Sequence, residues 1–85
     1  MNELELLKKK IIYRSSYRGT KEMDLLLTSF VLNIINSLHY EDLKKLDDFL
    51  NCNDVDISNF YLNKISMPYF KEKKILDLFT SFKIK

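Results

Sequence analysis

The chain has 85 residues and a mass of 10.2 kDa, room for one small domain and one core. At 46% hydrophobic, with six Phe and five Tyr, it is too apolar for a disordered chain, and one Gly, one Pro and no Trp exclude collagen-like and low-complexity classes. The formal charge of +2 conceals an acidic middle, residues 22–63, between two basic ends, a pattern that predicts a mixed-sign surface and counts against a cationic nucleic-acid binder.

Hydrophobic periodicity predicts helices along most of the chain. Leu4, Leu7, Ile11 and Ile12 mark a first helix over residues 3–16, with Lys8, Lys9 and Lys10 mainly on its wet side. Gly19, the only glycine, falls at the next break, where a left-handed C-terminal glycine is the expected stop signal. Residues 20–37 carry the strongest pattern: Met23, Leu26, Leu27, Phe30, Val31, Ile34, Ile35 and Leu38 keep helical spacing almost without a gap. So wide an apolar face predicts a central helix, and so short a link predicts that it lies antiparallel to the first.

A third helix is expected over residues 40–51, with Leu43, Leu46, Phe49 and Leu50 inward and Glu41 and Asp42 at the positive end of its dipole. Asp54 reads as the N-cap of a fourth, over 55–65, whose apolar side is Ile57, Phe60, Tyr61 and Ile65. Pro68 breaks it, and Ile75, Leu76, Phe79 and Phe82 give a fifth from about residue 69 onward. The spacing shows no internal repeat and no heptad run. The fold class is therefore an all-α, compact bundle of about five short helices in a single domain over residues 1–85.

No apolar run approaches the roughly 20 residues that a membrane span needs. The opening Met1-Asn2-Glu3-Leu4-Glu5 has neither a basic n-region nor an Arg/Ser-rich transit character, so the expectation is a cytoplasmic chain with its one Cys reduced. His39 and Cys52 fit no zinc spacing, and one Gly cannot build a phosphate cradle. Cys52 reads as a small half-buried filler and His39 as a turn residue that caps a backbone group. No catalytic residue, metal site or cofactor of its own is expected.

What stands out is Arg14, Arg18 and Glu22 at intervals of four, with Gly19 and Asp24 among them, across a helix break. As ordinary surface chemistry these are solvated charges and first-turn acids. As a recognition motif, a glycine without a side chain lets a partner's backbone come close, while Arg and Glu supply oriented contacts. The stretch Tyr13-Arg14-Ser15-Ser16-Tyr17-Arg18-Gly19-Thr20-Lys21-Glu22-Met23-Asp24-Leu25-Leu26-Leu27 resembles the signature of the FAD assembly factors of succinate dehydrogenase, the SdhE family: an aromatic-Arg-Ser segment, then R-G-x-x-E-x-D and a Leu run. Leu38-His39-Tyr40-Glu41-Asp42-Leu43 resembles the start of the family's third helix, with His39 where Ser or Thr is usual. Asp48-Phe49-Leu50 with Asn53-Asp54-Val55-Asp56-Ile57 is similar to its L-L-x-x-x-D-x-D-L block, with Phe60 in place of a Trp. The resemblance covers residues 4–65; the Lys-rich C-terminal helix over 69–85 is not diagnostic.

The resemblance implies a five-helix, chaperone-like protein that is not an enzyme. It implies binding to the flavoprotein subunit of succinate dehydrogenase, and often of fumarate reductase, to promote covalent attachment of FAD to a histidine of that client. It places Arg18, Gly19, Glu22 and Asp24 at the client interface with Arg14 beside them, and FAD on the client. Such a chain is expected to be monomeric when free. Two other classes fit parts of the sequence: a helical nucleic-acid module using Lys8, Lys9, Lys10, Arg14 and Arg18, and a homodimer using exposed Tyr and Phe.

Overall fold

The computed structural model describes residues 2–83, folded as five α-helices with no strand among them. They are α1 (Glu3–Ser16), α2 (Lys21–Ile34, extended by a 3₁₀ turn over Ile35–Ser37), α3 (Tyr40–Leu50), α4 (Asp54–Asn63) and α5 (Lys73–Ser81). The all-α expectation is met, and the first four helices lie within two residues of where periodicity puts them.

Local chemistry sets most of the boundaries. Asn2, Thr20 and Asn53 cap α1, α2 and α4 by accepting the backbone N–H of Glu5, Met23 and Asp56. The cap of α4 is thus Asn53, and Asp54, expected in that role, is the first helical residue. Gly19 does not stop α1, nor is it left-handed: the only positive φ among the described residues is 60° at Lys64, which closes α4. Instead the hydroxyls of Ser15 and Ser16 bond back to the carbonyl of Ile12, at 2.8 and 2.9 Å, competing with the helix ladder in its last turn. His39 holds the N-cap position of α3 but its side chain makes no capping bond.

The last helix starts four residues later than the pattern suggests. Residues 64–72 run without regular structure, and Ile65, counted with α4, is 53% exposed because the chain has already turned away at Lys64. Met67 and Phe70 of this connection are buried, so Pro68 interrupts a helix without interrupting the core. The core is continuous. Phe30 of α2, Phe49 of α3 and Phe79 of α5 are fully buried with ring centroids 4.8–6.3 Å apart. Leu27 and Val31 complete the inner side of α2, which is central as expected.

Helix α2 runs antiparallel to α1, with Thr28 Oγ1 donating to the carbonyl of Ser15 at 3.0 Å and Lys8 Nζ to Asn36 Oδ1 at 3.2 Å. Fully buried Ser15 is small enough to let the two backbones approach at that crossing. Tyr61 Oη donates to the carbonyl of Phe82 at 2.8 Å, joining α4 to the end of α5. Lys74 Nζ lies 2.6 Å from Asp42 Oδ2, and this bond holds the Asp42 carboxyl below the usual carboxylate range.

Two substitutions test this arrangement by thermal or denaturant unfolding. Phe30→Ala removes a ring at the meeting point of three helices and is expected to cost about 3–5 kcal/mol, most of the stability of so small a domain. Lys64→Gly relieves a left-handed non-glycine residue and is expected to stabilise by about 0.5–1 kcal/mol. A neutral Phe30→Ala contradicts the core described here, and a destabilising Lys64→Gly contradicts the left-handed turn at that residue.

Candidate functional site

The five residues singled out in the sequence lie around the junction of α1 and α2, but they do not share one role. Arg18 points inward. Its side chain is 10% exposed, and three of its nitrogens are engaged at once: Nε with Asp54 Oδ1 at 2.9 Å, Nη1 with the carbonyl of Leu50 at 2.6 Å and Nη2 with the carbonyl of Cys52 at 2.8 Å. Helix α3 has no basic residue in its own last turn. The guanidinium of Arg18 supplies that cation from another element, where the carbonyl ends of α3 collect negative charge, while Asp54 opens α4 at its positive end.

Asp24 completes the same knot. Its Oδ1 accepts the backbone N–H of Arg18 at 2.6 Å, so the loop between α1 and α2 is pinned from the first turn of α2. Asp24 is therefore engaged and half-buried, not the solvated acid that a first-turn position suggests. Arg14 serves a second tie: with Lys10 it brackets Asp47, a nearly buried carboxylate on α3, at 3.1 and 3.0 Å. Lys10, read as part of a wet lysine face, thus fastens α1 to α3. With Lys8 on Asn36, and Lys10, Arg14 and Arg18 on internal acceptors, four of the five cations that a nucleic-acid module would present are engaged by the fold's own groups, and Lys9 alone stands exposed without such a partner among the described residues.

What this knot leaves exposed is Tyr17, Gly19, Thr20, Lys21 and Glu22. A Cβ built on Gly19 meets only Asp54 Oδ2, at 3.4 Å, which is ordinary contact. Neither strain nor crowding within the chain calls for glycine there. The Glu22 side chain makes no ion pair or hydrogen bond among the described residues. Tyr13 and Tyr17, which sequence reasoning did not single out as site residues, form an exposed tilted pair with centroids 4.6 Å apart. Their spacing of four, from the exposed side of α1 to the residue that closes it, is the signal that was available.

Two grooves flank the knot. One, of about 580 Å³, lies between the Tyr13–Tyr17 pair, Arg14 and the α3–α4 turn. The other, of about 540 Å³, lies between the start of α2 and the outer face of α4. Cys52 borders the first; burial, with a smaller push from Asp56, raises its thiol pKa, so it is protonated and a poor nucleophile at neutral pH. Among the described residues no cluster of His, Cys, Asp or Glu is arranged to hold a metal ion, and no helix is long and apolar enough to cross a membrane. The site can present shape and charge to a protein surface.

The comparisons with known proteins agree with one another. The family model described as flavinator of succinate dehydrogenase matches residues 9–83, through α5. The protein named succinate dehydrogenase assembly factor 2, mitochondrial, of Dictyostelium discoideum is 38% identical over 78 residues, which are 92% of this chain and 55% of that protein. Its namesake in Komagataella phaffii is 33% identical over 73 residues, 85% of this chain and 38% of that one. Succinate dehydrogenase assembly factor 2-A, mitochondrial, of Drosophila ananassae is 39% identical over 56 residues, 64% and 36% of the two chains. The chain spans about half or less of the length of these curated relatives. No solved structure matches it.

The inward position of Arg18 changes what its substitution does. Arg18→Ala leaves the last carbonyl of α3, the turn carbonyl of Cys52 and Asp54 without their shared partner, and is expected to cost about 2–3 kcal/mol in a thermal or urea unfolding curve. Arg18→Lys, a single point charge, is expected to recover only part of that. A wild-type melting curve for Arg18→Ala contradicts the knot.

Proposed function

The chain belongs to the family of succinate dehydrogenase flavinators, and from that membership we propose that it is an assembly factor that binds the flavoprotein subunit of succinate dehydrogenase and promotes covalent attachment of FAD to it. The proposal extends to the flavoprotein subunit of fumarate reductase. The observation that carries the reading at the level of residues is the division of the motif. Arg18 and Asp24 fix the loop internally, with Arg14 fastening α1 beside it, and Gly19 and Glu22 stand on its outside. A loop held rigid before binding loses little conformational entropy on docking, and its glycine leaves room for a partner's backbone.

In this reading the chain acts as a monomer, carries no cofactor of its own and transfers no proton. Attaching the flavin requires the isoalloxazine and the client histidine to be held in register while charge develops on the ring. A partner that binds one arrangement of the client's domains raises the population of that arrangement by its differential affinity. The chain supplies that affinity, and the client's own groups do the chemistry. The relatives carry mitochondrial names; for this chain the proposed compartment is the cytoplasm in which its client folds.

Glu22 and Gly19 separate binding from folding. Both are exposed, so Glu22→Ala and Gly19→Ala are expected to melt within about 0.5 kcal/mol of wild type. At an interface, a partner's cation left unpaired by the loss of Glu22 costs on the order of 2–5 kcal/mol. Cells carrying either variant are expected to accumulate flavoprotein subunit with little covalent flavin, read as lost in-gel fluorescence under acid, as are cells lacking the chain. Normal covalent flavin in cells lacking the chain overturns the proposed function.

A further inference from the structure

The groove between α2 and α4 is apolar on its floor and on its rim. Its floor is the flanks of Met23 and Leu26, both buried, and its rim carries Val55 and Leu62, each 68% exposed. Val55 and Leu62 stand seven residues apart on α4, two turns along one side of that helix. The only charged residues lining the groove are two acids, Glu22 and Asp54, and Asp54 already holds Arg18. Glu22 is the carboxylate left to meet an occupant.

Resting on the functional reading above, we propose that this groove is the dock for an amphipathic helix of the flavoprotein client, whose apolar ridge lies on Val55, Leu62, Met23 and Leu26 and whose Lys or Arg pairs with Glu22. A helix is the fitting occupant because the groove lies between two helices and offers no strand edge, and a helix satisfies its own backbone while presenting an apolar ridge. The cation follows from charge complementarity with Glu22 at a rim that has no base of its own. A second copy of the chain does not fit that chemistry, since a two-fold contact brings the acidic rims together. The volume, about 540 Å³, holds a few side chains of a ridge and not a folded domain.

The test measures binding of the purified apo flavoprotein subunit of succinate dehydrogenase to the full chain and to Leu62→Lys and Val55→Asp. Both positions are exposed, and each substitution suits its end of the α4 dipole, so both proteins are expected to melt like wild type. Each is expected to bind the subunit at least tenfold more weakly, and a photo-crosslinker at position 62 is expected to capture a helix of the subunit that bears Lys or Arg. If the wild-type chain binds and the two folded variants lose less than tenfold, the groove is not the dock and the family function stands. If the wild-type chain does not bind the subunit, the functional reading itself falls. A wild-type dimer in sedimentation that Leu62→Lys makes monomeric overturns the client helix in favour of a second copy.

Discussion

Three hydrogen bonds from one guanidinium organise this molecule. Arg18 lies between helices in sequence, yet it closes the carbonyl end of α3, meets the acid that opens α4 and is itself fixed through its backbone by α2. Four of the five helices are therefore tied at one residue, two through its side chain and α2 through its backbone, since α1 ends two residues before it. A planar, permanently charged group with several donors suits this position; a lysine ammonium does not reach three acceptors in one plane. The second tie, Asp47 with Lys10 and Arg14, repeats the device between α1 and α3. It neutralises a nearly buried carboxylate that, left alone, would oppose folding.

These ties explain how a short motif serves a fold and a surface together. The same few residues that resemble a recognition signature contain an inner set, Arg18 and Asp24, and an outer set, Gly19 and Glu22. Because the inner set fixes the loop, the outer set is displayed on a rigid base, with a groove on either side. Loss of function on substitution has two origins here, a loosened loop or a missing contact, and unfolding measurements tell them apart. Gly19 belongs to the second kind, since its φ is not left-handed and its Cβ position is uncrowded.

The helices were legible because helix periodicity is a local property. The apolar spacing of α2 names Phe30 and its neighbours, and burial follows directly from it. The boundaries that differ have local competitors that the pattern does not weigh. The Ser15 and Ser16 hydroxyls end α1 before the glycine, and Lys64 takes a left-handed turn that removes Ile65 from the face of α4. The connection over residues 64–72 buries Met67 and Phe70 without forming helix, so apolar content alone placed the start of α5 too early. The candidate site was legible in its residues and not in their directions. Whether an Arg faces a partner or an internal carbonyl depends on contacts more than thirty positions away, such as Arg18 with Asp54 and Arg14 with Asp47. A single sequence carries no period that reports them.

The central claim is that a pre-fixed loop offers its outer residues, and the groove beside them, to a flavoprotein client. Amide hydrogen exchange of the chain, free and with the apo flavoprotein subunit, tests it most directly. The account predicts that the Arg18 amide is protected already in the free chain, and that the subunit adds protection at residues 19–26 and 55–62 while α5 is unchanged. An Arg18 amide that exchanges freely in the unbound chain, or new protection centred on α5, would contradict it.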